Sequence, residues 1–220
     1  INPPFDITRD FLAVSLLASA PFYLMTHPSL PVKTVKELTA FAKARPGQLN
    51  YGTSGMGTPP HMAAEMYKVM AGINLVHVGY KTVAAAVVDQ MAGQIQVSFQ
   101  YGPSSMPHVR SGKLRGLAVT SLKRSRFAAE LPTMDESGVP GYEITPWGGY
   151  AVPAGTPRAV VAKLNAELNR IVALPYVRER WIAVGIDPAG GTPEQFTEHV
   201  RRETAKWSGV IKRMQAKPAD

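Results

Sequence analysis

Cysteine is absent from the 220-residue chain. That excludes disulfides, thiolate catalysis and cysteine-ligated metals, and it suits an oxidising compartment. Charge is also sparse, at 18% of residues, although 24 Lys and Arg against 16 Asp and Glu leave a formal net charge of +8. Such a balance is compatible with nucleic acid, an anionic surface or a small anionic ligand. The basic residues are dispersed, however, with only short groups such as Lys123-Arg124 and Arg201-Arg202. No basic stripe interleaved with aromatics is present, so nucleic acid is not expected as a partner. The chain opens Ile1-Asn2-Pro3-Pro4, without methionine, which places the expected natural N-terminus upstream.

A membrane-length apolar run is missing too. The segment FLAVSLLASA (11–20) imitates the apolar core of a signal peptide ending in Ala-Ser-Ala. Asp6 and Asp10 stand upstream of or beside it with a single Arg9, where a positive flank is needed. Ten residues are also too few to span a bilayer. The segment reads instead as a buried strand continuing through PFYLMTH. With 45% apolar residues the chain can bury a core as one large domain or two small lobes. Only the terminal AKPAD reads as disordered.

From residue 30 helical and extended patterns alternate. Thr34-Val-Lys-Glu37 is a capping box that opens a helix ended by Pro46-Gly47. Strands are predicted over 49–53, 74–80, 95–99 and 114–120, and helices over 60–72, 82–93 and 104–112. This alternation predicts βαβ units with a parallel sheet. The segment 121–143 reads as a polar loop holding one short helix, which Thr133 and Glu136 could cap. A strand follows at 147–153, then a helix with Thr156 as N-cap and Pro157 at its first position. In that helix Val160, Val161, Leu164, Leu168 and Ile171 recur at the spacing of one buried face. A second helix covers 175–184, and Thr192-Pro-Glu-Gln195 caps a long final one with a stripe of Phe196, Val200, Trp207, Val210 and Ile211.

The stretch richest in chemistry is YGTSGMGTPPHMAAE (51–65). As a nucleophile elbow it fails, because counting G-x-S-x-G from Gly52 puts Met56 at the last position. As a P-loop it lacks lysine after Gly57, and as a dinucleotide fingerprint it ends on Pro60. Two readings remain. In one, backbone N–H groups of Ser54 to Thr58, the hydroxyls of Ser54 and Thr58 and the start of a helix receive a carboxylate or phosphate. In the other it is a plain strand-to-helix turn with Thr58 as N-cap. HVGYKT (77–82) has the same form, and Tyr80 and Lys81 are either anion contacts at the same end of the sheet or a packing residue and a solvated charge.

The histidines His27, His61, His77, His108 and His199 show no metal-ligand spacing. His61 either faces the cleft or is exposed at its helix start. Trp147-Gly-Gly marks either a close backbone approach or a bend, with burial of Trp147 as the alternative. No carboxylate pair, Ser/His/Asp set or metal cluster assembles, so neither a catalytic residue nor a cofactor is expected.

The order of motifs resembles the Bug-type (TctC-like) periplasmic solute receptors of tripartite tricarboxylate transporters. The resemblance is carried by PFDITRDF, HPSLPVKTVKEL, AKARPGQLNYGTSGMGTPPHMAAE, VHVGYKT, GQIQVSF, SGKLRGLAVTSLKRS, LPTMDESGVPGYE, WGGYAVPAGTP, LPYVRER and GGTPEQF. It implies an α/β, two-lobed periplasmic-binding-protein (Venus-flytrap, type II) fold whose N-terminal part of lobe 1 is missing. Residues 1–24 would be a lobe 1 remnant with a crossing strand, 25–146 lobe 2, and 147–220 the return strand with the C-terminal helices of lobe 1. The implied function is periplasmic: a small carboxylate is bound and delivered to the membrane components of the transporter. Ser54, Gly55, Met56, Gly57 and Thr58 would supply the ligand-binding turn, with His61, Tyr80 and Lys81 on or beside motif positions.

Two departures from the family pattern bear on this. A preceding segment of about a quarter of the usual chain is absent, which would leave sheet edges open to self-association. Where many relatives have Phe-Asp-Asn, this chain has Phe99-Gln100-Tyr101. Gln100 and Tyr101 would then line the cleft without a negative charge and favour a plain carboxylate over an amino acid. Two rival readings are an α/β hydrolase-like enzyme using Ser54, with His61 or His77 as base, and a truncated interaction or regulatory domain.

Overall fold

Short-range signals open most elements in the computed structural model, which describes residues 4–215. The terminal segment 216–220, expected to be disordered, lies outside the described residues. Thr34 Oγ1 accepts the Glu37 N–H at 3.1 Å, and the Glu37 carboxylate accepts the Thr34 N–H at 3.2 Å. This capping box starts α1 (Val35–Ala44). Thr192 and Gln195 exchange the equivalent bonds at 3.2 and 2.9 Å and start α7 (Pro193–Gln215).

The chain divides into two compact units, Ile1–Ala20 with Trp147–Gln215, and Pro21–Pro146. The second carries a five-stranded sheet built from β2 (Phe22–Thr26), β3 (Asn50–Thr53), β4 (Val76–Gly79), β5 (Val97–Tyr101) and β6 (Arg115–Val119). Their spatial order is β4-β3-β5-β2-β6. β3 runs parallel to β4 and β5, but β2 is antiparallel to both of its neighbours, β5 and β6. The sheet is therefore mixed rather than wholly parallel, because β2 enters it from the other unit and not through a helical crossover. α2 (Pro59–Ala71) and α3 (Val83–Met91) follow β3 and β4, and α4 (Gly102–Arg110) follows β5. Each thus begins at the end of a strand where the sheet's turns gather. β2 is buried at every position, and Tyr23, Met25, Met106 and Val119 form one core cluster around it.

The first unit holds a three-stranded sheet of order β7-β1-β8, with β1 (Phe11–Ser19) antiparallel to β7 (Trp147–Pro153) and to the two-residue β8 (Asp187–Pro188). α5 (Arg158–Ala173), α6 (Pro175–Ala183) and α7 complete it. Gly149 carries no side chain because the Phe196 ring of α7 sits there: a Cβ would lie 2.1 Å from Phe196 Cζ. Trp147, half-buried, meets Phe196 edge-on with ring centroids 5.6 Å apart. The Trp-Gly-Gly motif is thus a seat for an aromatic side chain.

Five expectations are corrected. The strand expected to run through 11–27 is two strands in two different sheets, separated at Ala20-Pro21, where proline has no N–H to extend a ladder. The segment 121–143 contains turns and a bridge at Thr133, but no helix; Thr133 and Glu136 make their reciprocal bonds around a turn. α5 begins after Pro157, which occupies the N-cap itself without a side-chain cap. Its inward face is Val161 and Val172, with Val160 45% and Ile171 41% exposed. The face is rotated because Asn165 points inward: its Nδ2 donates to Val14 O at 2.7 Å and to Gly191 O at 2.8 Å. In α7, Phe196 and Val210 are buried as expected, whereas Ile211 is 42% exposed.

Candidate functional site

Glycine-rich sequence between β3 and α2 forces a turn that only glycine takes without strain. Gly55 has φ +132° and Gly57 φ +76°. The turn is braced from within. Thr58 Oγ1 donates to Gly55 O at 2.7 Å, and Gly55 N–H reaches Thr53 Oγ1 at 3.2 Å. Thr58 is the N-cap residue of α2, but its hydroxyl makes no cap bond, since it is spent inside the turn. Pro59 and Pro60 bring no N–H to the helix start. The amides of Ser54 and Met56 have no hydrogen-bond acceptor among the described residues, and neither has the Ser54 hydroxyl. Those three donors are the ones the turn can offer an anion.

His61 is not exposed at its helix start; it is 7% accessible and lies beneath the turn. Its Nδ1 accepts the Gly57 N–H at 3.3 Å, which fixes a neutral ring with the proton on Nε2. The His77 ring stands edge-on to it, with centroids 4.8 Å apart, and His77 Nε2 lies 2.7 Å from Thr53 Oγ1. Below them Glu65 accepts from the Tyr51 hydroxyl at 2.6 Å and from Lys68 at 2.7 Å. Burial lowers the pKa of His61 against the attraction of Glu65, with His77 and Lys68 adding to the lowering. His77 is lowered in the same way, by burial first. Burial pushes the Glu65 carboxyl up, but the bonds from Lys68 and Tyr51 outweigh it and hold it below the ordinary value. The two histidines proposed from sequence as bases for Ser54 are therefore engaged with Gly57 and Thr53, and neither bonds to Ser54.

The second turn is tied to the first through the Tyr80 N–H, which donates to Thr53 O at 2.9 Å. Tyr80 turns its hydroxyl to Asp89 at 2.9 Å, and burial together with that carboxylate pushes the phenol up to about 12. Thr82 caps α3 by accepting the Ala85 N–H at 3.2 Å. Lys81 is exposed beside it. At the end of β5, Gln100 is buried at 4% accessibility, and Tyr101 is 39% exposed with its ring against Phe22, centroids 4.5 Å apart.

Of the residues singled out by sequence, Ser54 and Gln100 are brought together: they share a small cavity with Gly52, Thr53, Val83 and Ala86. Gly55, Met56, Gly57 and Thr58 form the adjoining turn, with Met56 81% exposed. His61 supports that turn from below, and Tyr80, Lys81 and Tyr101 do not line the cavity. Sequence reading missed Thr53 and Gln90 as partners of the site and offered His77 only as a base for Ser54, whereas it bonds to Thr53. His77 stands opposite Tyr51 in the parallel register of β3 and β4, two residues before Thr53 on the same face, and its ring reaches Thr53 across the pair.

A family model described as tripartite tricarboxylate transporter family receptor matches residues 1–216. A UPF0065 protein in the tcbD-tcbE intergenic region of Pseudomonas sp. strain P51 is 35% identical over 94% of the chain and 62% of its own length. Protein BugT of Bordetella pertussis is 31% identical over 97% of the chain and 66% of its own length. The chain thus spans less than two thirds of these relatives. Among solved structures, Rpa4515 of R. palustris with adipate superposes with a TM-score of 0.84 at 34% identity, covering 96% of this chain and 71% of that one. The periplasmic binding protein BugD gives 0.83 at 29%, covering 98% and 73%. The α/β periplasmic-binding-protein fold expected from the motifs is the fold these structures share.

Proposed function

Because this chain belongs to the tripartite tricarboxylate transporter receptor family, we propose that it is part of a periplasmic solute receptor that binds a small carboxylate and delivers it to the membrane components of such a transporter. The observation that carries the reading is the set of three unspent donors on the turn after β3: the amides of Ser54 and Met56 and the Ser54 hydroxyl, at the start of a 13-residue helix. Fixed N–H dipoles there favour an anion without a countercharge that must first be desolvated. A similar structure that holds adipate supports a carboxylate as the anion. The unit Pro21–Pro146 is assigned as the lobe that carries this turn, and Ile1–Ala20 with Trp147–Gln215 as the remainder of the other lobe.

Native mass spectrometry of the chain with a panel of mono- and dicarboxylates tests the reading. A carboxylate adduct is expected, weakened about 3- to 10-fold in Ser54→Ala, which deletes one neutral donor. The Ser54 hydroxyl makes no hydrogen bond among the described residues, so the variant should melt like the parent. A panel that yields no adduct at all would remove the reading.

A further inference from the structure

The polar network behind the cavity has a direction, and that direction leaves one oxygen without a partner. Gln90 is fully buried on α3, and its Nε2 donates to the Met25 carbonyl at 3.2 Å. A carbonyl only accepts, so the Gln90 amide must present its nitrogen there and its oxygen on the opposite side. That oxygen takes the Ser98 hydroxyl at 2.6 Å and the Gln100 Nε2 at 3.1 Å. Gln100 Nε2 also donates to Ser98 Oγ at 2.9 Å. The orientation of the Gln100 amide is thereby set through Gln90 by a backbone carbonyl, which leaves its Oε1 outside the network. This atom is buried and has no hydrogen-bond donor among the described residues.

Leaving a buried acceptor unmatched is unfavourable, and most buried polar groups in native structures have a partner. Gln100 lines the cavity that Ser54 and Gly52 border, beside the donors of the proposed carboxylate turn. The cavity measures about 10 Å³, room for one water-sized group and no more. A ligand hydroxyl has that size. A ligand ammonium would need a countercharge, and Gln100 supplies none; the charged side chain on the neighbouring turn, Lys81, is itself a cation.

We propose that Gln100 is a specificity-determining residue, whose unpaired Oε1 accepts a hydrogen bond from a hydroxyl carried by the ligand beside its carboxylate, so that the site prefers hydroxycarboxylates. This rests on the carboxylate reading above and names the class within it.

Titration calorimetry of the chain with matched pairs decides: propionate against lactate, and succinate against malate, with aspartate as the aminated counterpart. The hydroxylated member of a pair is expected to bind about 10- to 100-fold more tightly, the range for a site whose buried acceptor is otherwise left unmatched. Gln100→Met, close in size but lacking the acceptor, should bring the ratio towards one. The comparison in the unmodified chain stands even where that variant does not fold. If the plain acids bind as tightly as their hydroxylated partners, or aspartate binds more tightly than malate, this inference falls while the carboxylate reading survives. If none of the five binds, both fall together.

Discussion

The backbone N–H of Gly57 donates to Nδ1 of His61, 3.3 Å away and four residues on. A flexible glycine is thus held in place by the ring that begins the next helix, and that bond exists only while Nδ1 is unprotonated.

A pH dependence follows. Burial lowers the pKa of both His61 and His77 in the fold from the ordinary 6.5. Below that pH the unfolded chain takes up more protons than the folded one, so stability is full above about 6.5 and is lost as pH falls towards the depressed folded values. The lowered Glu65 acts in the same direction further down, below its ordinary 4.5. Thermal midpoints measured from pH 8 to pH 5 should therefore decline on the acid side, and less so in His61→Asn, whose Oδ1 can take the Gly57 N–H without titrating. A midpoint unchanged across that range in the parent chain would refute the histidine assignment.

Gly57→Ala isolates backbone conformation from packing. A Cβ at this position would meet nothing within 4 Å, yet φ is +76°. The left-handed conformation costs an L-residue about 1–2 kcal/mol. Urea denaturation should show a loss of that order with an unchanged slope. The carboxylate should also bind more weakly if the turn relaxes. A stability equal to the parent's would mean that the turn does not hold this conformation.

Gly149→Ala probes the opposite limit, where conformation is permissive and space is not. Its backbone is extended in β7, but the added Cβ would stand 2.1 Å from Phe196 Cζ and 2.5 Å from Cε1. The ring must move, and overpacking of this kind costs about 1–3 kcal/mol. Pairing the change with Phe196→Leu should recover part of the loss, because the smaller side chain clears the new methyl. A double variant no more stable than the sum of the two single ones would show that the clash is not the cause.

Much of the fold is legible in local pattern. Thr34 with Glu37 and Thr192 with Gln195 announce their helices because a capping box is closed within four residues. The glycines at 55 and 57 announce a turn because only their backbone takes it. The inward face of α5 was not legible. Its apolar spacing includes Val161, which is buried, but also Val160 and Ile171, which are exposed, and it omits the buried Val172; Asn165 and Asn169 on this helix bind the carbonyl of Gly191, 26 and 22 residues away. Nor was the break at Pro21, since a mostly apolar extended stretch looks alike whether one sheet or two receive it.

The sequence by itself determined where the donors of the candidate site are, because amide and hydroxyl chemistry travels with the residue and the glycine turn is built locally. Tertiary structure alone decided which of those donors remain free. Thr58 spends its hydroxyl on Gly55, Tyr80 spends its own on Asp89, and Gln100 is oriented by Gln90 and Met25 from other elements. A hydrogen-bonding group is available to a ligand only if nothing in the fold has claimed it, and most claims come from residues brought near by strand pairing and helix packing rather than by sequence.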